Sequence, residues 1–141
     1  MKPRKSRALV VREASIQQAV TDYLRLDGWR VFHWEYGFDE RSKKTHGEPG
    51  MPDLLCIRYR YDGGPLEGID RQLLQARGDV LWIELKSLTG SLRGVQLIWQ
   101  KAERERGALV WVAGEDFPPT VEGFIRHYEQ SGLQWRKIEV R

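Results

Sequence analysis

The chain has 141 residues, six Trp and 40% apolar residues, enough for one compact core and short for two. Its formal charge is +3, from 23 Lys and Arg against 20 Asp and Glu, a mild bias rather than the charge of a strongly basic binding protein. The lone cysteine, Cys56, excludes a disulfide framework within the chain, and no stretch approaches the roughly 18 consecutive apolar residues of a membrane span. The N-terminus has charges but no apolar segment behind them, so a secretory signal is not expected and a cytoplasmic protein is.

The charge is unevenly spread. Residues 1–12 carry Lys2, Arg4, Lys5, Arg7 and Arg12 with no acid, which predicts a flexible basic arm that either meets phosphates or keeps the terminus solvated. Residues 13–141 are then read as one domain. Glu13 to about Asp27 is predicted as an amphipathic helix, with Ile16, Val20, Tyr23 and Leu24 at helical spacing and Gly28 closing it. Glu13 extends the same stripe, so its carboxylate points toward whatever the helix packs on. An acid in a first turn also serves the helix dipole.

Trp29 to Trp34 reads as a first strand, rich in aromatic and β-branched residues. A polar loop follows from Glu35 to Gly50, with Arg41, Lys43, Lys44 and His46 near its middle, either a nucleic-acid grip or a solvated connection. Pro52 to about Tyr61 is the second strand, since a proline at the first position need not donate to the ladder. Asp62 to Asp79, with four glycines and a possible short helix around Ile69 to Ala76, is a connection. Val80 to Lys86 is the third strand.

Ser87 to Gly94 is a turn, after which Val95, Ile98, Trp99 and Ala102 mark the apolar face of a helix stopped by Gly107. Ala108 to Ala113 is a continuous apolar run, the pattern of a strand covered on both faces. Asp116 to Thr120 opens a last helix with Val121, Phe124, Ile125 and Tyr128 on one side, and Leu133 to Val140 offers a possible edge strand. A strand, helix, strand crossover from Val80 through Val112 implies a parallel pair, hence an α/β fold with a central mixed β-sheet flanked by α-helices.

Two fragments carry the chemistry. Asp53 and Glu84 stand 84 minus 53, or 31, residues apart, each at the end of an apolar strand. If those strands are neighbours, both carboxylates meet at one sheet margin, where keeping two ionised groups in a partly dry site is costly without a cation. Oxygen ligands of that kind suit Mg²⁺ or Mn²⁺. Lys86 emerges on the same side of its strand as Glu84 and can orient a water or neutralise charge building on a phosphate. That is equipment for phosphodiester hydrolysis. His33 and His46 lack ligand spacing with another His or Cys, so zinc is not expected, and His127 is expected at the surface.

Pro52-Asp53 followed by Glu84-Leu85-Lys86 resembles the signature of PD-(D/E)XK nucleases, and more particularly the VRR-NUC branch found in phage and bacterial nucleases and in structure-specific repair nucleases. The resemblance spans roughly Glu13 to Ala113. It includes Glu13 with Gln17 or Gln18, the run Gly50 to Leu55, Trp82 to Lys86, Gly90 and Leu92, then Gln96 with Trp99. It implies a restriction-endonuclease-like core in which Asp53, Glu84 and the Leu85 main-chain carbonyl bind the metal and Lys86 positions the attacking water. Glu13 would complete the acidic cluster, and Gln96 would orient Lys86 or the scissile phosphate, against its plain reading as a polar residue in a first helical turn. DNA contacts are expected from Arg4, Lys5, Arg7, Arg41, Lys43 and Lys44.

Short stand-alone members of the branch resemble Holliday-junction resolvases, homodimers that cut branched DNA in repair or recombination. The resemblance therefore implies a metal-dependent endonuclease acting on four-way junctions. The alternatives are a nuclease for flaps or plain duplex, and a non-catalytic DNA-binding or phage-assembly module that retains the fold.

Overall fold

The structure, a computed structural model, describes residues 7–34, 37–39, 44–59, 78–85 and 94–135. Its elements are α1 (Arg7–Leu26), β1 (Arg30–His33), β2 (Gly37–Asp39), β3 (Lys44–His46), β4 (Leu54–Tyr59), β5 (Gly78–Glu84), α2 (Gly94–Glu105), β6 (Leu109–Val112) and α3 (Val121–Ser131). The helix ends are closed by local chemistry. Gly28 takes φ 90° and donates to the Arg25 carbonyl while Trp29 donates to that of Leu24, and Gly107 with Ala108 repeats the pattern behind α2. Thr120 caps α3, its hydroxyl accepting from the Gly123 amide at 2.9 Å.

Four strands form one sheet in the order β1, β4, β5, β6, with β1 and β5 antiparallel to β4 and β6 parallel to β5. The parallel pair is the one the crossover through α2 predicts. One sheet face carries Val31, Leu54, Cys56, Leu81, Ile83 and Trp111, which pack with Val20 and Leu24 of α1 and Phe124 and Tyr128 of α3. The other face carries Val110, Val112 and Trp82 beneath Trp99 of α2, with Trp82 and Trp99 edge to face at 4.9 Å. The result is the expected mixed sheet between helical layers. Among the described residues no helix is long and apolar enough to cross a membrane.

Several boundaries differ from the sequence reading. The first helix begins at Arg7, so Arg7 and Arg12 of the expected flexible arm belong to α1. The residues preceding Glu13 include Ala8, Leu9, Val10 and Val11, which continue a helix as well as they begin a tail. The loop after β1 contains a two-stranded ribbon, β2 with β3, whose three-residue strands are too short to show a period. The second strand starts at Leu54 rather than Pro52, and the third runs from Gly78 to Glu84. Residues 133–135 are not a strand; 136–140 and the possible helix at 69–76 lie outside the described residues.

The largest correction is the rotation of α2. Trp99 is buried as expected, yet Ile98 is 71% exposed and Val95 51%, while Gln100 is buried. The helix turns Gln96, Trp99 and Gln100 to the sheet because Trp99 has a partner in Trp82 and Gln96 reaches the end of β5. His127, expected at the surface, is half-buried with its ring 4.4 Å from that of Trp111.

At the opposite end of β4 from Asp53 lies a charge that no apolar pattern announces. Arg58 is 1% exposed and its guanidinium bonds Asp27 at 2.9 Å, Asp79 at 3.1 Å and the Leu133 carbonyl at 2.6 Å. The plane lies between the rings of Trp29 and Trp135, 4.5 and 3.7 Å from their centroids. Asp27, fully buried, also accepts from the Trp135 amide and the Tyr128 hydroxyl. Burial, then the bond to Asp27, raises the Tyr128 pKa, and burial alone pushes the Cys56 thiol up to about 12.

Removing one partner of such a buried pair strands the other charge. Arg58→Met should therefore cost about 3–5 kcal/mol in urea unfolding. Arg106→Ala, which breaks the 2.5 Å pair of a 75% exposed arginine with Glu103, should cost under about 1 kcal/mol. Equal losses would contradict the assignment of stability to the Arg58 cluster.

Candidate active site

The β4–β5 ladder ends on the pair Leu54 and Ile83, so Asp53 and Glu84 are the next residues on two hydrogen-bonded strands. Both side chains belong to the sheet face that α2 covers, because Leu54 and Ile83 point into the opposite core. Asp53 is 8% exposed and Glu84 1%. Asp53 Oδ2 accepts the Leu85 backbone N–H at 3.0 Å, which ties the carboxylate of one strand to the backbone at the end of the other. Glu84 Oε2 accepts from Gln96 Nε2 at 3.4 Å. The main chain is held as well: the Asp53 carbonyl accepts the Trp34 amide and the Glu84 carbonyl accepts the Ala113 amide, each at 2.8 Å.

The turn before Asp53 is built to reach this place. Pro49-Gly50 are the central residues of a turn closed by the Met51 amide on the Glu48 carbonyl at 3.1 Å, and Gly50 has φ 84°, the pattern of a type II turn. The turn sits on the start of α2. A Cβ on Gly50 would lie 2.3 Å from the Val95 carbonyl oxygen, so only glycine permits this approach. Trp99 Nε1 donates to Glu48 Oε2 at 3.0 Å and fastens the turn to the helix that carries Gln96.

A second brace lies at the end of β1. Gln17 Nε2 meets His33 Nδ1 at 2.5 Å and Thr21 Oγ1 meets its Nε2 at 3.4 Å, tying one face of α1 to the strand beside β4.

Of the residues expected from sequence, Asp53, Glu84, Leu85 and Gln96 therefore come together. Glu13 is on α1, one turn before Gln17, but its side chain lies outside the described residues, as does Lys86. Arg7 is on α1 and Lys44 begins β3; Arg4, Lys5, Arg41 and Lys43 lie outside the described residues. Among the described residues no group of three or more His, Cys, Asp and Glu side chains is placed to hold a metal ion. What is described is a pair of carboxylates, hard oxygen donors, both desolvated and at one margin, a donor set that fits Mg²⁺ or Mn²⁺. The periodicity reading missed the Glu48–Trp99 tie and the His33 brace; the Pro-Gly dipeptide was the signal for the turn.

In comparisons with known proteins, no family model, no curated protein and no solved structure matches the chain.

The Gly50 geometry has a measurable consequence. Gly50→Ala must adopt a left-handed backbone and displace the Val95 carbonyl, a strain of about 1–3 kcal/mol. Urea unfolding should register that loss, and Gly107→Ala, at φ 97° with open space around its Cα, should lose less. A silent Gly50→Ala would contradict the close approach of the turn to α2.

Proposed function

We propose that this chain is a metal-dependent DNA endonuclease of the PD-(D/E)XK type, close to the VRR-NUC branch, acting on branched DNA such as four-way junctions. The observation that carries the reading is the pair Asp53 and Glu84, two buried carboxylates on neighbouring strands, each held by a directed hydrogen bond. Burying two acids at one point is costly unless a cation or protons neutralise them. Asp53, Glu84 and the Leu85 carbonyl would hold Mg²⁺ or Mn²⁺, with Glu13 as a further acid. Such an ion supplies Lewis-acid polarisation of a phosphate oxygen and of water.

The chain's own residues do the rest. The Leu85 amide fixes the rotamer of Asp53, and the Gln96 amide fixes that of Glu84, so neither carboxylate reorganises when a substrate arrives. Lys86 orients the attacking water and offsets negative charge growing on the phosphate. Burial of Asp53 and Glu84 keeps solvent from screening their charges. In this reading the protein is a cytoplasmic homodimer in a bacterial cell or a phage-infected host, with basic residues including Arg4, Lys5, Arg7, Arg41, Lys43 and Lys44 on the DNA backbone. Two sites related by a two-fold axis suit two strands of a junction.

One gel tests it. A four-way junction, a flap, a splayed arm and a plain duplex are incubated with Mg²⁺ or Mn²⁺, and the junction should be cut best. An intact junction beside a readily cut duplex would replace the branched substrate with a linear one, and no cleavage of any form would remove the nuclease reading. Asp53→Ala and Glu84→Ala should abolish cleavage with DNA affinity kept or improved. Loss of both together would assign these residues a structural role. Lys86→Arg should collapse cleavage while metal binding persists, because a guanidinium cannot replace a point-charge ammonium at a water.

A further inference from the structure

Beside the carboxylate pair runs a stripe of aromatic and cationic side chains that the nuclease chemistry does not use. In β1 the side chains alternate: Val31 enters the core with α1 and α3, and His33 bonds Gln17 and Thr21 of α1. Arg30, Phe32 and Trp34 therefore stand on the opposite side, the side of the sheet that bears Asp53 and Glu84. Arg30 confirms this, its guanidinium lying 5.0 Å from the centre of the Phe32 ring. Trp34 follows the last residue of β1, its amide on the Asp53 carbonyl at 2.8 Å, and it is 40% exposed. Among the described residues β1 is an edge strand, and α2 packs on this side through Trp82, Val110 and Val112 of β5 and β6.

We propose that Trp34, with Phe32 and Arg30 behind it, is a stacking platform for unpaired nucleotides of the DNA strand whose phosphate lies at Asp53 and Glu84. The inference rests on the nuclease reading and deepens it by assigning how a branched substrate is told from a continuous duplex. Two observations choose this occupant. The stripe is continuous with the carboxylate pair, since Trp34 and Asp53 are joined through their backbones, so a strand bound at one reaches the other. It also holds an exposed arginine, Arg30, a partner for a phosphate.

Alternate residues of a strand stand about 6.8 Å apart, so Phe32 and Trp34 are set at a spacing an extended single strand can follow. Every base has a π-face, so stacking on such rings needs no particular sequence. In a continuous duplex those faces are already stacked on their neighbours. At a junction centre, a flap base or a frayed end they are free, and the platform then favours the branched form. Arg30, stacked on Phe32, adds a cation to the neighbouring phosphate or base.

The test uses the full chain in EDTA, so that cleavage plays no part, and reads fluorescence anisotropy with labelled oligonucleotides. One duplex is compared with the same duplex carrying a run of unpaired thymidines, for wild type, Trp34→Ala and Trp34→Phe. Wild type should prefer the oligonucleotide with unpaired bases. Trp34→Ala should reduce that preference by roughly tenfold, the worth of one stacked base, and Trp34→Phe should restore most of it.

A preference that survives Trp34→Ala, or a wild type with none, overturns the platform, as does a Trp34→Ala chain altered only in oligomeric state. The two readings fail separately. Mn²⁺-dependent cleavage that needs Asp53, beside an unmoved preference, sinks the platform alone; a Trp34-dependent preference without cleavage on any DNA sinks the nuclease alone.

Discussion

The register that sets Leu54 opposite Ile83 is the constraint on which the rest depends. It places Asp53 and Glu84 side by side and on the same face of the sheet. A slip of one residue would turn the carboxylate of the displaced strand into the apolar core and leave the other on the α2 face without it. The register is protected by what lies behind it: Leu54, Leu81 and Ile83 are each fully buried, and moving any of them to the other face would expose apolar surface and bury charge. The core that folds the protein thus also fixes the geometry of its acids. The crossover helix adds the third element, since the turn at Gly50 and the indole of Trp99 lock α2 at the height where Gln96 meets Glu84.

The two ends of β4 carry opposite charges: the acids Asp53 and Glu84 at one, Arg58 at the other. At one end Asp53 stands beside a second buried acid, Glu84. At the other end Arg58 lies against the rings of Trp29 and Trp135 and bonds Asp27, Asp79 and the Leu133 carbonyl, joining β4 to the turn after α1, to β5 and to the segment after α3. A buried arginine with this many partners offers little stability beyond what an apolar cluster would, but it accepts few alternative packings. Between these ends the strand is apolar on its inner face.

What was legible in the sequence follows the strength of the local signal. The apolar runs at Leu54 to Ile57, Leu81 to Ile83 and Val110 to Val112 are strands, and the spacing between the last two leaves room for one crossover helix, so the parallel pair could be read. Asp53 and Glu84 were legible because one stands just before such a run and the other just after one. Gly50 carried its turn in the Pro-Gly pair. The orientation of α2 was not legible: Val95 and Ile98 satisfy a helical period, but period states which residues share a face and not which face meets the sheet. Tertiary partners decide that, and Trp82 and Glu84 decide it for Trp99 and Gln96. Arg58 was hidden for the same reason, since a lone cation in a strand reads as a solvent-facing position until its acids and aromatic planes, far away in sequence, are assembled around it. The early start of α1 was hidden because charge along residues 1–12 masked four consecutive apolar or small residues.

The central claim is that Asp53 and Glu84 form one cation site. Calorimetric titration of Mn²⁺ into the full chain without DNA tests it most directly, run beside Glu84→Gln, which keeps the size of the side chain and its contact with Gln96 while removing the charge. A saturable site in the wild type that Glu84→Gln weakens by tenfold or more, with unfolding in urea unchanged or shifted toward greater stability, is the predicted result. A wild type that takes up no Mn²⁺, or a Glu84→Gln chain that binds it equally well, would contradict the account.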